Sequence, residues 1–347
     1  MKLSALVPLG LRFVKARATG DGLPLSVIFE VTQRCNLRCK YCSIWADPPP
    51  ELSLAEIRPL VTEMAAAGVQ TVSLVGGEPF LRDDLEDIAD AFTRAGIRVA
   101  VCTNGSGFAE RIAALPGLVF LAISLDGLRP THDSLRGRGS FDAALDSLRA
   151  GVRRGVESLA TITITRQNLD VLPEVLALAK AEGFRLNFQP VMNLRYASGR
   201  VDALTPSRAE LRAFMSEVIA AKQAGAAIFG SVDMLRFIRD NWQPGGGFHQ
   251  DIGRSDASHV GKVPCHAGRF FCALGSEGTL SPCELLGMPS AALPNVRDAG
   301  FEAAFRALPA PRCAGCWCTP YLLRNMATSM RPGAIAQVLR VMMMEGA

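Results

Sequence analysis

The chain has 347 residues, of which 49% are hydrophobic and 20% charged. That suits one large domain, or a domain with an appendage, and excludes a disordered or collagen-like chain. The basic excess is local: Lys2, Arg12, Lys15 and Arg17 precede every acid, and the remaining 33 basic residues balance 33 acidic ones, so no nucleic-acid surface is expected.

Residues 1–24 form a basic segment in which Leu9–Ala18 can be a helix with Leu11, Phe13 and Val14 apolar. Packing on the body is the simpler expectation, and contact with an anionic membrane surface is the alternative. The apolar stretch is short, broken by Pro8 and lacks an Ala-x-Ala cleavage site. No uncharged apolar run approaches the roughly 18 residues of a membrane span. A cytoplasmic protein is the expectation.

From about residue 25, β-rich runs alternate with helical periodicity. Strands are predicted at Ser26–Thr32, Gln70–Val75, Ile97–Cys102, Leu118–Leu125, Ser158–Ile164 and Arg185–Val191. Between them, Ser53 and Glu56 make a capping-box pattern for a helix ending at Gly68, and Asp83 or Asp84 caps the next. Further helices fall near Gly107–Leu115, Phe141–Arg154 and Val171–Glu182. Six strand–helix units predict a parallel sheet with right-handed crossovers. They are too few for a closed eight-stranded barrel, so the expected α/β fold is a partial (βα)6 TIM-like barrel over 25–240, a flatter doubly wound sheet being the alternative.

After Val191 the pattern changes. Thr205-Pro206 predicts a helix start by the cap-then-proline signal, and a second helix covers Met234–Trp242. Gly245-Gly246-Gly247 and the polar stretch to Lys262 read as a linker or lid. Residues 241–347 form a small cysteine-rich unit, closed by a helix over Arg331–Met344.

Ten cysteines are the unusual feature, nine of them in two bunches at 35–42 and 265–318. Spread-out disulfides would not cluster so; thiolate-bound metal would. Cys35, Cys39 and Cys42, spaced Cys-x-x-x-Cys-x-x-Cys, follow the first strand. Three local thiolates leave one metal position without a protein ligand, and soft thiolates favour iron–sulfur or zinc. A zinc knuckle would want a fourth nearby ligand, which is absent. Cys102 falls in a buried strand pattern and is expected in the core.

The segment Cys35-Asn-Leu-Arg-Cys39-Lys-Tyr41-Cys42 resembles the radical SAM superfamily, including the aromatic residue before the third cysteine. Gly76-Gly77-Glu78-Pro79 resembles that family's GGEP motif, followed by Thr103-Asn104-Gly105, Ser124-Leu125-Asp126-Gly127, His132-Asp133 and Arg136-Gly137. All fall at C-terminal ends of successive strands, where such barrels place their chemistry. The resemblance implies a [4Fe-4S] cluster on Cys35, Cys39 and Cys42 whose fourth iron is chelated by S-adenosylmethionine. One-electron reduction then yields a 5′-deoxyadenosyl radical that abstracts hydrogen from an unactivated carbon. It also implies cofactor contacts from Tyr41, Gly76, Gly77, Glu78, Pro79, Asn104, Ser124, Asp126 and Arg136, with Glu78 accepting from the methionine ammonium. Arg136 would face a carboxylate, Arg138 being its competitor; His132 is more simply structural.

The later bunch resembles the twitch and SPASM extensions of the same superfamily. Ala267–Thr279 would be a β-hairpin turning at Gly275–Gly278, and the implied ligands of one auxiliary [4Fe-4S] cluster are Cys265, Cys283, Cys313 and Cys316. Cys318 could replace Cys316, and structural zinc stays an alternative for the bunch. Cys272 is expected as packing, with a ligand role as the alternative, although Cys272 or Cys318 could instead donate hydrogen to a product radical. The resemblance implies an enzyme with a one-electron reductant such as ferredoxin or flavodoxin. The length is expected to leave no room for a separate peptide-recognition domain, which favours a small-molecule substrate, sugar-like or another metabolite, or a partner-delivered peptide. A peptide- or protein-modifying maturase stays open beside it, as does, in a different class, a non-catalytic iron–sulfur scaffold.

Overall fold

A computed structural model describes residues 3–192, 201–244, 263–286, 292–309 and 316–343, without the side chains of 3–7 and 341–343. The predicted linker at 245–262, and Cys313, lie outside the described residues.

The strands are β1 (Ser26–Thr32), β2 (Thr71–Gly76), β3 (Arg98–Thr103), β4 (Leu118–Ser124), β5 (Glu157–Ile164), β6 (Arg185–Pro190), β7 (Phe271–Leu274) and β8 (Leu280–Ser281). The N-terminal helix α1 (Leu3–Thr19) precedes them. Between the first six strands run α2 (Leu54–Ala67), α3 (Leu85–Arg94), α4 (Ala109–Ala114), α5 (Arg129–Arg136), α6 (Ser140–Arg153) and α7 (Leu172–Glu182). Then come α8 (Val201–Leu204), α9 (Arg208–Gln223) and α10 (Val232–Asn241), and after β8, α11 (Val296–Arg306), α12 (Thr319–Thr328) and α13 (Pro332–Met343).

The sheet order is β6-β5-β4-β3-β2-β1-β7-β8. The first six strands are parallel to their neighbours, as the strand–helix alternation requires. The fold is therefore the expected partial barrel. β7 then adds to β1, also in parallel, and β8 turns back antiparallel to β7. The predicted turn is present, with Gly278 N–H donating to Gly275 C=O at 3.0 Å, but the hairpin strands are shorter than expected. The sheet runs unbroken through the boundary drawn at 240/241.

Period-two alternation gives this sheet two different faces. Val27, Phe29, Val72, Leu74, Val99, Val101, Leu121, Ile123, Ile162, Ile164, Leu186 and Phe188 point outward and are buried at the helix layer. Each such side chain contributes about 1.5–3 kcal/mol on burial. The inner face is polar and partly open: Thr161 and Thr163 on β5 are half-buried between buried neighbours. Cys102 corrects its expectation. It follows the outward-facing Val101, lies on the inner face with Ala100, and is exposed.

Helix starts follow local chemistry. Ser53 and Glu56 make the predicted capping box, and Gly68 closes α2 at φ +103°. Helix α9 begins not at Thr205-Pro206 but at Ser207, whose side chain and Glu210 cap each other reciprocally. Pro206 disfavours helical backbone at Thr205, so the box three residues on decides the start. α1 packs through Phe13, 5.0 Å from the Phe270 ring, and through buried Ala16. Leu11 and Val14 stay exposed.

Candidate functional site

The loop after β1 carries Cys35, Cys39 and Cys42, all half-buried. It is tied down on two sides. Gly77 N–H donates to Thr32 C=O and Glu78 N–H to Arg34 C=O, each at 2.8 Å, while Lys40 N–H donates to Leu135 C=O on α5 at 2.9 Å. The two glycines permit the first contact. A Cβ on Gly76, at φ +145°, would lie 2.0 Å from Thr32 O, and one on Gly77 would lie 2.3 Å from Arg34 O. In this structure the glycines admit the cysteine loop's own backbone.

Glu78 is fully buried. Its Oε1 accepts from Thr103 Oγ1 at 2.7 Å and Phe80 N at 3.1 Å, and its Oε2 from Asn104 N at 2.7 Å. Burial pushes its carboxyl up to about 7, although these three donors pull the other way. The carboxylate thus holds the ends of β2 and β3 together and fixes Asn104. Asn104 Nδ2 in turn donates to Asn36 Oδ1 at 2.9 Å and reaches Cys35 Sγ at 3.8 Å.

On the other side stands a buried ion pair. Arg136, from the end of α5, donates through Nε to Asp126 Oδ2 at 2.6 Å and through Nη2 to Oδ1 at 3.2 Å. Tyr41 OH donates to Asp126 Oδ2 at 2.5 Å, and Thr163 N to Oδ1 at 2.8 Å. Burial raises the Asp126 carboxyl, but Arg136 and the other donors outweigh it and hold it below its usual value. Arg136 Nη1 reaches Cys39 Sγ at 4.0 Å. The carboxylate that Arg136 faces is thus the protein's own Asp126, and Arg138 is exposed outside the site. Ser124, half-buried, ends β4 on the inner face, and Pro79 starts the turn that Glu78 caps.

His132 is buried, and its Nδ1 accepts from Asp126 N at 3.0 Å, which places the ring proton on Nε2. Burial, with Arg136 nearby, lowers it to about 4, so it is neutral and structural. Asn168, whose Nδ2 donates to Asp126 C=O at 2.8 Å, and Thr163 are supports that the sequence motifs do not point to. They arrive from the β5 side of the sheet, and only register places them here.

Burial pushes the Cys39 thiol up to about 11 and raises Cys35 and Cys42 as well. Neutral thiols gathered beside Arg136 and the Asn104 amide suit a site that gives up protons when it takes metal. Among the described residues no three His, Cys, Asp or Glu converge as ligands of a single ion. Thiolates on a cluster each bind a separate iron, so three cysteines of one loop can serve three irons of one cluster.

The second bunch lies where the sheet's two ends approach. Burial raises the Cys283 and Cys316 thiols, and Cys265, Cys283, Cys316 and Cys318 lie close enough to act on one another's ionisation. Cys318 caps α12, and Cys316 Sγ is 3.9 Å from its carbonyl. The Tyr321 hydroxyl beside Cys283 and Cys318 is buried without a partner among the described residues. A cluster's sulfurs would satisfy that orphaned donor, so the donor set fits the auxiliary group. Cys272 faces the helix layer opposite Val27, is fully buried and stands as packing.

The tie between this segment and the barrel is Gln189 on β6, which no sequence motif singles out. Its Oε1 accepts from Thr319 N at 2.7 Å and Thr319 Oγ1 at 3.0 Å, and its Nε2 donates to Trp317 C=O at 2.9 Å.

A partial barrel whose strand ends gather three thiols, a buried arginine–aspartate pair and a glycine-tightened turn defines a cluster-dependent enzyme class. The sequence profile of the Radical SAM superfamily matches residues 29–179. Pre-heme d1 synthase of Dinoroseobacter shibae is 42% identical over 48% of this chain and 43% of its own. The chain therefore spans under half the length of that relative. PqqA peptide cyclase of Rhodopseudomonas palustris is 31% identical over 268 residues, 73% of this chain and 70% of the relative. Among solved structures, Streptococcus suis SuiB bound to its precursor peptide SuiA has the same fold, with a TM-score of 0.59 at 17% identity over 87% of this chain and 72% of that one. The chain belongs to the radical SAM superfamily, and its cofactors are a [4Fe-4S] cluster and S-adenosylmethionine. No helix among the described residues is long and apolar enough to cross a membrane.

Proposed function

We propose that this protein is a peptide-modifying radical SAM enzyme. The observation that carries the reading is the 268-residue similarity to a peptide cyclase. That match covers 73% of this chain, more than the residues 29–179 matched by the family profile. A fold shared with a precursor-peptide complex is consistent with it. This reading replaces the small-molecule expectation, which rests on chain length alone.

In the proposal Cys35, Cys39 and Cys42 hold the cluster, and Tyr41, Gly76–Pro79, Asn104, Ser124, Asp126 and Arg136 surround S-adenosylmethionine. When bound, these groups supply a one-electron cleavage that leads to hydrogen abstraction from an unactivated C–H. The protein's own work is positioning. Asn104 and Arg136 offset thiolate charge at Cys35 and Cys39, and Asp126 keeps Arg136 in place. Glu78 serves as a positioning residue that fixes Asn104. Cys265, Cys283, Cys313 and Cys316, with Cys318 as the substitute for Cys316, would hold an auxiliary cluster, which would supply a one-electron relay. Residues 25–240 are the radical-generating unit and 241–347 the auxiliary one.

A second reading, tetrapyrrole modification, is favoured by the 42% identity to pre-heme d1 synthase. The test is anaerobic incubation of the reconstituted protein with S-adenosylmethionine, a reductant and short peptides encoded beside its gene. Peptide-stimulated 5′-deoxyadenosine, with a mass change in the peptide, is expected. Stimulation by porphyrin carboxylates alone would overturn the peptide reading.

A further inference from the structure

Helix α12 crosses the open side of the barrel. Its first turn is held by Gln189 on β6, the Tyr321 ring lies 5.5 Å from Phe271 on β7, and Arg324 Nη2 reaches Ser73 Oγ on β2 at 3.3 Å. Ser73 sits mid-strand on the inner face, in register with Ile28 of β1 and Ala100 of β3. Arg324 therefore stands inside the lumen, below the strand ends that carry the proposed cofactor site.

This arginine is half-buried. Among the described residues its contacts are the Ser73 hydroxyl and the Tyr321 face, 5.9 Å to the ring centroid, with no carboxylate bound to it. The arginines around the cysteine loop differ in this respect: Arg82 pairs with Asp84, Arg111 with Glu86 and Arg136 with Asp126. A guanidinium carries five N–H donors in a fork matched to a carboxylate, so a single hydroxyl leaves most of it unused. A second cation shares the inner face: Arg98, on β3, keeps a buried Nη1 without a partner among the described residues. Cys102, two residues beyond Ala100 on that face, is exposed to the same space. Desolvation there pushes its thiol up to about 12, and the charges of Glu284, Arg324 and Glu78 act on it as well.

We infer that Arg324, with Ser73, is the lumen's recognition site for a carboxylate of the substrate. The site rests on the proposed function and deepens it, because it selects an acid-bearing substrate and anchors that acid at the lumen floor while the reacting carbon faces the strand ends. An acidic peptide and a porphyrin carboxylate share this chemistry.

Cys102 reports on the site. In the reconstituted, S-adenosylmethionine-loaded protein the proposed cluster cysteines are occupied, and Cys272 and Cys318 are buried, which leaves Cys102 as the exposed described thiol. Iodoacetate and iodoacetamide each form an S–C bond at the Cys102 sulfur, expel iodide and release the thiol proton. The thiol's own reactivity cancels in the ratio of the two rates, and the reagent's charge is what differs. With modification read by peptide mass mapping, the iodoacetate-to-iodoacetamide ratio at Cys102 should fall about ten-fold in Arg324→Gln and stay within about three-fold of wild type in Arg324→Lys. An unchanged ratio in Arg324→Gln overturns the inference.

If iron content shows that Arg324→Gln does not fold, wild-type protein decides. A free-carboxylate peptide should protect Cys102 from iodoacetamide more than its amide does, which names a peptide source. A porphyrin tetracarboxylate protecting more than its ester names a tetrapyrrole. Equal protection within both pairs overturns the inference. Failure of wild-type protein to cleave S-adenosylmethionine would sink the proposed function and leave the alkylation ratio standing; loss of the ratio with cleavage intact would sink this site alone.

Discussion

Asp126 concentrates the site's dependence on single atoms. Four donors meet its carboxylate: Tyr41, Thr163 and two nitrogens of Arg136. Removing its charge would strand a buried guanidinium, so Asp126→Asn should destabilise the fold by about 3–5 kcal/mol. Chemical denaturation checks this, and a loss under about 1 kcal/mol would show that the fold does not depend on the pair. His132 gives a pH signature. Its folded pKa is near 4 against an ordinary 6.5, so as pH falls the unfolded chain takes the proton first. The His132 contribution to stability should therefore be intact above about 6.5 and decline toward pH 4, by at most ~1.4 kcal/mol per unit. His266, lowered to about 4 by burial, adds to the same window. His132→Gln should remove the His132 share of the slope in melting curves at pH 7 and 5, leaving the His266 decline and the opposing gain from Glu78, whose raised carboxyl is protonated first in the folded state; an unchanged slope would count against a neutral His132. The cysteines, Asp126 and Arg136 are legible in sequence because their spacing is local. Thr163 and Asn168 are not, since their contact with Asp126 depends on strand register.

At the scale of elements, strands and most helices follow from periodicity and caps, and the departures have physical causes. Thr205-Pro206 has the pattern of a helix start, but the Ser207–Glu210 box wins. Composition predicts Cys102 in the core, whereas alternation with Val99 and Val101 puts it inside the lumen. The parallel pairing of β7 with β1 joins residues some 240 positions apart in register, and no local pattern announces such a contact. Gln189 is the element-scale hinge of function, because it docks the Cys316–Thr319 turn on β6. Gln189→Leu leaves Thr319 N–H without its acceptor. Reconstituted protein should then lose the auxiliary irons and keep about half of the roughly eight that two four-iron clusters supply. Iron and sulfide analysis checks this; full iron content in the variant would separate Gln189 from the auxiliary site.

For the whole molecule, one sheet carries both thiol groups. β1 leads into the first, β7 and β8 lead into the second, and α12 spans between the sheet's two ends with its arginine in the lumen. In the proposed function, that continuity would put the substrate between the two thiol groups without requiring two separate domains to dock. The family and the partial barrel are readable from motifs at successive strand ends, but the lumen's chemistry is not, because its residues come from β2, β3 and a helix more than two hundred positions later. Activity of every kind proposed here depends on the Cys35/Cys39/Cys42 cluster keeping an iron open to S-adenosylmethionine. Electron paramagnetic resonance of the anaerobically reduced protein tests that most directly. Adding S-adenosylmethionine should shift the g values of one of the two cluster signals, and that responsive signal should vanish in Cys39→Ala. A spectrum identical with and without S-adenosylmethionine would contradict an open iron.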